Sequence, residues 1–142
     1  MGKPGNRSVL YRLIEVGQLA GRALRETLTP LGLESGDDAL LFFLHDYANV
    51  TEADLAVALQ VSDSTALRRR VARLCDGGFV VRHMTRPDLP SWFELTERGE
   101  RLRARLAGRW DEIEDALVGE LKKKQRKRLR RQLGRFADLL RL

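Results

Sequence analysis

Arginine and hydroxyl side chains are concentrated in residues 61–80, which read VSDSTALRRRVARLCDGGFV. Three consecutive arginines occupy positions 68, 69 and 70, and Arg73 follows about one helical turn later. A guanidinium group is always charged and holds five donors in a fixed fork, so it can grip a phosphate or bridge the two acceptors of guanine. A run of charges can equally be a solvated helix face. The elements around the run decide between these two interpretations.

Helical spacing sorts the side chains of this segment onto two faces. At about 100° per residue, Leu67, Val71 and Leu74 fall on one side, which predicts the face that packs against the protein. The outward side then carries Thr65, Arg69, Ala72 and Arg73, with Arg68 and Arg70 flanking it. An outward face of threonine and arginine suits the major groove of DNA.

The first half of the chain predicts helices. From Ser8, a candidate N-cap, apolar residues recur at helical spacing until Pro30. The apolar stretch ALLFFLHDY lies in a second helix, expected from about residue 35 to 47. In the stretch that follows, Thr51 and Asp54 have the spacing of a capping box.

The segment that carries the arginines is expected to be a helix of its own. Ser62 is placed to cap it, and it should continue to about Cys75. Gly77 and Gly78 then end it, because glycine accepts the left-handed backbone of a helix C-terminus.

After these glycines the hydrophobic period changes. FVVRHM and SWFELT are rich in β-branched and aromatic residues and are separated by TRPDLP, which predicts two short antiparallel strands around a turn. Thr96 is expected to cap a long helix, with a break between Gly119 and Lys124. The order of elements predicts a mainly α fold, an α+β winged helix-turn-helix with extra helices at both ends.

Composition narrows the class of protein. The chain has 142 residues, 43% of them hydrophobic, which is enough for one core, and its formal net charge of +6 favours an anionic partner. Of the 26 basic residues 21 are arginine. The single cysteine excludes an intrachain disulfide and fits a reducing cytoplasm. With no long apolar run and no signal-peptide pattern, we expect a cytoplasmic protein.

Four stretches resemble the MarR family of bacterial transcription regulators in order and spacing. They are LTPLGLES, TEADLAVALQVSDST, RLCDGGFVVR and LTERGERLRARL, and the resemblance extends over about residues 8 to 140. It implies an obligate homodimer whose N- and C-terminal helices interleave. It also implies two winged lobes that read a palindromic double-stranded DNA site, often with release by a small molecule or an oxidant.

Two positions depart from the family pattern. The wing of the family usually carries an Asp-x-Arg element whose arginine enters the minor groove. Here no arginine follows Asp88, so Arg86 would have to substitute for it. In addition, the apolar residues of this helix, Leu67, Val71 and Leu74, lie one position away from those that are usually apolar in the family.

The domain organisation follows from this resemblance. We expect one domain overall, with residues 1–7 disordered, 8–34 an N-terminal dimerisation helix, 35–98 the winged helix-turn-helix DNA-binding region and 99–142 the C-terminal dimerisation helices. The residues expected in the dimer contact are Leu10, Leu13, Ile14, Leu117, Leu121, Leu129, Leu133, Phe136 and Leu140.

The DNA contacts are predicted residue by residue. We expect Arg69 and Arg73 to read or approach bases, with Thr65 beside them. Backbone phosphates are assigned to Ser62, Ser64, Arg68, Arg70, Arg82 and Arg86.

Other candidate sites receive a structural interpretation. The basic run KKKQRKRLRRQLGR, residues 122–135, could bind nucleic acid or acidic lipid, but its helical spacing of leucines favours the exposed face of a dimer-forming helix. Cys75 is interpreted as a small buried hydrophobe rather than a redox switch. His45 and His83 lack the neighbouring ligands of a zinc shell, so no metal and no cofactor are expected. His45 is instead expected to be packed in the protein and His83 to lie on the wing.

No nucleophile with an adjacent base and no phosphate-binding glycine loop is visible, so we do not expect an enzyme. The sequence favours a homodimeric, sequence-specific DNA-binding regulator, a repressor that a small-molecule effector could relieve. The alternative is a winged-helix module for protein–protein interaction whose basic face docks a partner regulator.

Overall fold

Six α-helices and a small antiparallel sheet make up residues 7–141, the part of the chain that the computed structural model describes. Residues 1–6 of the predicted disordered N-terminus lie outside the described residues. The elements in chain order are α1 (Val9–Leu28), a 3-10 turn (Thr29–Leu31), α2 (Asp37–Asp46), β1 (Val50–Thr51), α3 (Glu52–Ala58), α4 (Ser64–Asp76), β2 (Val80–His83), β3 (Trp92–Leu95), α5 (Glu97–Val118) and α6 (Lys123–Leu140).

Local hydrogen bonds explain where the first helices begin. The Oγ of Ser8 accepts a hydrogen bond from the backbone N–H of Tyr11 at 3.2 Å, as expected of an N-cap. At α3, Thr51 and Asp54 cap each other's backbone N–H groups at 3.2 and 3.0 Å, a complete capping box. Both predicted caps are confirmed.

The prediction that Ser62 caps α4 is wrong, because Asp63 does so. Its Oδ1 accepts hydrogen bonds from the backbone N–H groups of Thr65 at 3.0 Å and Ala66 at 3.4 Å. Serine and aspartate are both good N-caps, so residue preference alone did not separate the two positions. At the other end the helix stops as predicted, and Gly78 has a φ of +78°.

The sheet contains one strand more than the sequence predicted. β2 and β3 form the expected antiparallel hairpin, with Val80 opposite Leu95. β1 adds to the other side of β3, with Val50 opposite Phe93, so the strand order is β1-β3-β2. Two residues are too short to show a strand period, which is why β1 was missed.

Three buried aliphatic side chains fix the orientation of α4. Leu67, Val71 and Leu74 are only 2%, 5% and 1% exposed, so the face predicted to pack does so. They join a core that includes Leu40 and Leu55. The opposite side of α4 therefore faces away from the protein.

The start of α5 shows why glycine stands in the LTERG stretch. The Oγ1 of Thr96 accepts a hydrogen bond from the backbone N–H of Gly99 at 3.0 Å and donates to the carbonyl oxygen of Gly78 at 2.6 Å. Gly99 is buried against the backbone of Phe79, and a Cβ at this position would overlap the Phe79 carbonyl group. The predicted cap at Thr96 is confirmed.

The chain divides into two compact units, the first ending at Arg109 and the second beginning at Trp110. In the second unit, α5 ends at Val118 and α6 begins at Lys123, so the predicted break between them is confirmed. The division into a DNA-binding region and dimerisation helices stays a prediction.

Candidate nucleic-acid interface

The outward face of α4 presents Thr65, Arg69 and Ala72 to solvent. By helical geometry Arg69 lies about 170° from the centre of the buried face. Among residues 7–141, Arg69 has no hydrogen-bond or ion-pair partner. Its guanidinium group is therefore available to a ligand on this face.

Arg73, predicted beside Arg69 as a base-reading residue, is held by the protein itself. Its Nη2 donates to both carboxylate oxygens of Asp37, at 2.8 and 2.9 Å, and lies 3.5 Å from Oε2 of Glu34. The side chain of Asp37 is fully buried, whereas that of Arg73 is 31% exposed. The hydrogen bond to Asp37 raises the pKa of Arg73 above its ordinary value despite the opposing effect of burial.

Arg70, about one helical turn before Arg73 on α4, contacts the same carboxylate. Its Nε lies 3.4 Å from Oδ1 of Asp37, and its Nη2 donates to the carbonyl oxygen of Ser35 at 2.8 Å. The backbone N–H of Glu34 donates to Oδ2 of Asp37 at 2.7 Å. We call Asp37, Glu34, Ser35, Arg70 and Arg73 the Asp37 cluster.

The Asp37 cluster fixes α4 to the segment that leads into α2. Breaking such a buried pair leaves a charge without its partner, so the cluster constrains the position of α4 strongly. Gly36 lies between the two contact points with a φ of +95°, and a Cβ there would overlap the guanidinium group of Arg70. The structure thus gives Arg70 and Arg73 contacts that position α4, and their contact with DNA stays a prediction.

Arg68 makes a weaker contact on the other flank of α4. Its Nε donates to Oε1 of Glu52 at 2.9 Å, and the two side chains are 68% and 36% exposed. Exposed pairs of this kind contribute about 0–1 kcal/mol, so a phosphate can compete with Glu52 for the arginine.

The N-terminus of α4 is less favourable to phosphate than the sequence suggested. Ser62 and Ser64 are both exposed there, as expected. The carboxylate of Asp63, however, accepts the backbone N–H groups that would otherwise face an anion. A phosphate at this end would meet the negative charge of Asp63.

The wing is the β2–β3 hairpin, with Arg82 on strand β2 and Arg86 in the loop that follows. The Nε of Arg82 donates to Oγ of Ser91 at 2.9 Å. Arg86 donates to both carboxylate oxygens of Asp88, at 3.0 and 2.6 Å, and both side chains are more than 60% exposed. The hydrogen bond from Arg86 lowers the pKa of Asp88. Both arginines of the wing are exposed, but Arg86 is paired with Asp88.

A groove of about 900 Å³ separates α4 from the wing. Its walls include Val71, Phe93, Arg82 and Cys75. Burial raises the pKa of the Cys75 thiol, with a further contribution from the carboxylate of Asp76. The thiol is therefore kept protonated rather than activated as a nucleophile.

The two histidines each lie beside a glutamate. His45, which we expected to be packed, is exposed, and its Nδ1 is 2.9 Å from Oε2 of Glu100. His83 lies on the hairpin as expected, 2.7 Å from Glu94 and stacked on Trp92. Within residues 7–141, no group of three or more histidine, cysteine or acidic side chains is arranged to hold a metal ion.

The residues predicted to make the dimer contact are largely uncovered in the single chain. On α1, Leu10, Leu13 and Ile14 are 66%, 39% and 51% exposed. In the second unit Leu121 and Leu129 are half-buried, and the exposed members are Leu117, Leu133, Phe136 and Leu140. Each unit therefore leaves an apolar surface open.

Solved structures match this fold over nearly the whole chain. The DNA complex of MepR from S. aureus has a TM-score of 0.80 and 19% identity, and the match covers 96% of this chain and 100% of that one. MarR-family transcriptional regulators from Rhodococcus sp. RHA1 and Silicibacter pomeroyi DSS have TM-scores of 0.77 and 0.78. Both are 24% identical, and the matches cover 91% and 96% of this chain and 93% of each of theirs.

The fold is that of the MarR regulators. The predicted winged helix-turn-helix is therefore confirmed, with α3 and α4 as the helix-turn-helix and the β2–β3 hairpin as the wing. The sequence matches no family model, and no curated protein matches it. Within residues 7–141, no helix of this MarR fold is long and apolar enough to cross a membrane.

The Asp37 cluster is the part of this region that the sequence did not reveal. Asp37 and Arg73 are 36 residues apart, and helical periodicity carries no information about a contact at that distance. The only available signal was the pair of aspartates that precedes the apolar run of α2.

Proposed function

We propose that the chain is a MarR-family transcriptional regulator that binds a two-fold related DNA site as a homodimer. It would act in the cytoplasm as a repressor. Repression and its relief by a small molecule are carried over from the resemblance to the MarR family. The observation that carries DNA binding is the position of Arg69 on the outward face of α4, where it has no partner among residues 7–141. The opposite face of α4 is buried in the winged helix-turn-helix.

In this mechanism α4 of each protomer enters the major groove. Arg69 reaches the base edges, where it can bridge the two acceptors of a guanine, and Thr65 lies beside it. Arg70 and Arg73 hold α4 in place through Asp37 and are not part of the proposed base contact. Phosphate contacts are assigned to Ser62, Ser64, Arg68, Arg82 and Arg86. Arg68 and Arg86 must first release a carboxylate, and a phosphate at Ser62 and Ser64 must approach the carboxylate of Asp63.

The proposed homodimer is supported by the exposed apolar side chains at both ends of the chain. Val9, Leu10 and Leu19 on α1 are more than 50% exposed, as are Leu117, Leu139 and Leu140 in the second unit. A monomer rarely leaves a contiguous apolar surface in water, so a second copy is the expected cover. In a two-fold dimer the two copies of α4 would enter successive major grooves about 34 Å apart.

Selection from genomic DNA tests this function. Fragments of the source genome are mixed with the purified protein, the bound fragments are sequenced, and the best fragment is compared with a scrambled version at one salt concentration. We expect a difference in affinity of about a thousandfold or more and a motif with two-fold related halves. Equal affinity for all fragments would contradict sequence-specific regulation.

The second candidate function is a protein–protein interaction module that docks a partner regulator. The ion pairs of the arginines favour this function, because an arginine that already contacts a carboxylate of the chain is less available to DNA. The arginines in such pairs are Arg68, Arg70, Arg73 and Arg86. Replacing Arg69 with glutamate separates the two functions. If a partner regulator is lost from the variant while DNA binding is unchanged or absent in both proteins, the interaction module is the better description.

A further inference from the structure

The positive charge of the chain is concentrated in one short segment. Residues 122–135 contain nine of the 26 basic residues and none of the 20 acidic ones. The rest of the chain therefore has 17 basic and 20 acidic residues, a formal charge of −3. The excess that favours an anionic partner thus belongs to α6 and the residue before it, and not to the winged helix-turn-helix.

These nine cations are also unpaired. Within residues 7–141, none of them is in an ion pair with a carboxylate, and all except the half-buried Arg126 are exposed. On α4 the situation is the reverse, because three of its four arginines contact Asp37 or Glu52. A phosphate can bind an exposed cation of this kind without breaking an existing ion pair.

The cations of α6 divide into two sets. Lys123, Arg126, Lys127 and Arg130 line a groove of about 380 Å³ together with the acidic side chains of Asp111, Glu114 and Asp115 on α5. The remaining set is Lys124, Arg128, Arg131 and Arg135, which we call the α6 stripe. At about 100° and 1.5 Å per residue the stripe spans roughly 60° of the helix surface and about 16 Å of its length.

The apolar side of α6 points in a different direction. Leu129, Leu133, Phe136 and Leu140 are centred about 140° from the α6 stripe by the same geometry. A second copy of the chain could cover this apolar side and leave the stripe in solvent. A helix lying in a membrane surface buries its apolar side in lipid and would turn the stripe towards water, away from the headgroups.

We propose that the α6 stripe binds the phosphate backbone of duplex DNA without reading its sequence. It is a second contact, separate from α4, and it relies on the proposed function for the identity of the partner. DNA carries one charge per about 1.7 Å of axis, so a stripe of this length faces several phosphates at once. Its contribution is general affinity and a steep salt dependence, while sequence preference stays with Arg69.

The test compares two variants with equal charge. In the stripe variant, Lys124, Arg128, Arg131 and Arg135 are all replaced by glutamine. In the control, the exposed Arg22, Arg25, Arg101 and Arg105 are replaced instead. Affinity for a duplex that genomic selection did not enrich is measured by fluorescence anisotropy across a range of salt concentrations. Circular dichroism and size-exclusion chromatography are used to check that both variants keep the parent's fold and assembly.

We expect the salt dependence of the stripe variant to be less steep, by about 0.9 in log K per log salt for each phosphate contact removed. The control should keep the slope of the parent. An unchanged slope in the stripe variant, or an equal change in both variants, would overturn the proposal. So would loss of binding to phosphatidylserine-containing vesicles with DNA binding intact, since the partner would then be a membrane.

The same series in an Arg69→Ala background separates this inference from the proposed function. Failure of the proposed function appears as equal affinity of the parent for enriched and scrambled duplexes. Failure of the stripe appears only in the salt slope on the unenriched duplex. We expect Arg69→Ala to lose sequence preference and to keep the stripe-dependent slope.

Discussion

Replacing Asp37 with asparagine tests the role of the Asp37 cluster. The change keeps the shape of the side chain but removes its charge and one of its acceptor oxygens. Asp37 is fully buried and accepts from Arg73 Nη2 and from the Glu34 backbone, with Arg70 Nε 3.4 Å away. The variant therefore leaves two guanidinium groups on α4 without their anion.

The expected loss of stability is about 2–3 kcal/mol. Removing one partner of a buried pair costs about 3–5 kcal/mol. We expect a smaller loss for Asp37→Asn because the side chains of Arg70 and Arg73 are 26% and 31% exposed and can turn towards water. For a chain of this size the loss corresponds to a decrease in Tm of roughly 6–12 °C.

Urea and thermal unfolding followed by circular dichroism measure this loss at a fixed protein concentration, which matters if the chain dimerises. The matched control is Glu52→Gln, which breaks the exposed pair between Glu52 and Arg68 on the other flank of α4. That pair should contribute less than about 1 kcal/mol. If both variants lose the same small amount, the Asp37 cluster does not fix α4.

Two further predictions concern α5 and Cys75. Gly99→Ala should destabilise the fold by about 1–3 kcal/mol because its Cβ overlaps the Phe79 carbonyl. Gly108→Ala should instead stabilise α5 by about 0.5–1 kcal/mol, because no atom of residues 7–141 outside the local helix backbone lies within 4 Å of the added Cβ. Equal urea midpoints for the two variants would contradict this. Burial raises the pKa of Cys75, so iodoacetamide should alkylate it more slowly in the folded protein at pH 8 than in urea, as measured by mass spectrometry. Because the folded thiol holds its proton more tightly, the free energy of unfolding should also fall as pH rises through that raised pKa. Equal alkylation rates in the folded and unfolded protein would contradict the raised pKa on which both predictions depend.

The orientation of α4 was predictable because it depends on local information. The spacing of Leu67, Val71 and Leu74 identified the buried face, and the glycines after Asp76 identified the end of the helix. The capping pair at Thr51 and the hairpin followed from equally local patterns. These are the features that periodicity and turn chemistry determine.

The partners of the arginines were not predictable because they depend on long-range contacts. By helical geometry Arg73 lies about 130° from the centre of the buried face, which predicts that it lies on the outward side together with Arg69. Its long side chain instead reaches back to Asp37, 36 residues earlier in the chain. In the part of the chain that the structure describes, Arg69 has no such partner, and only the structure separates the two residues.

Protection of guanine N7 from methylation by dimethyl sulfate tests the proposed base contact of Arg69 most directly. N7 lies in the major groove, so α4 of a bound dimer should protect guanines in two patches about one helical turn apart on the enriched fragment. Arg69→Ala should lose protection in both patches, while Arg105→Ala, an exposed arginine on α5, should keep it. Protection that is absent from the parent, or equal in the parent and Arg69→Ala, would contradict the placement of Arg69 in the major groove.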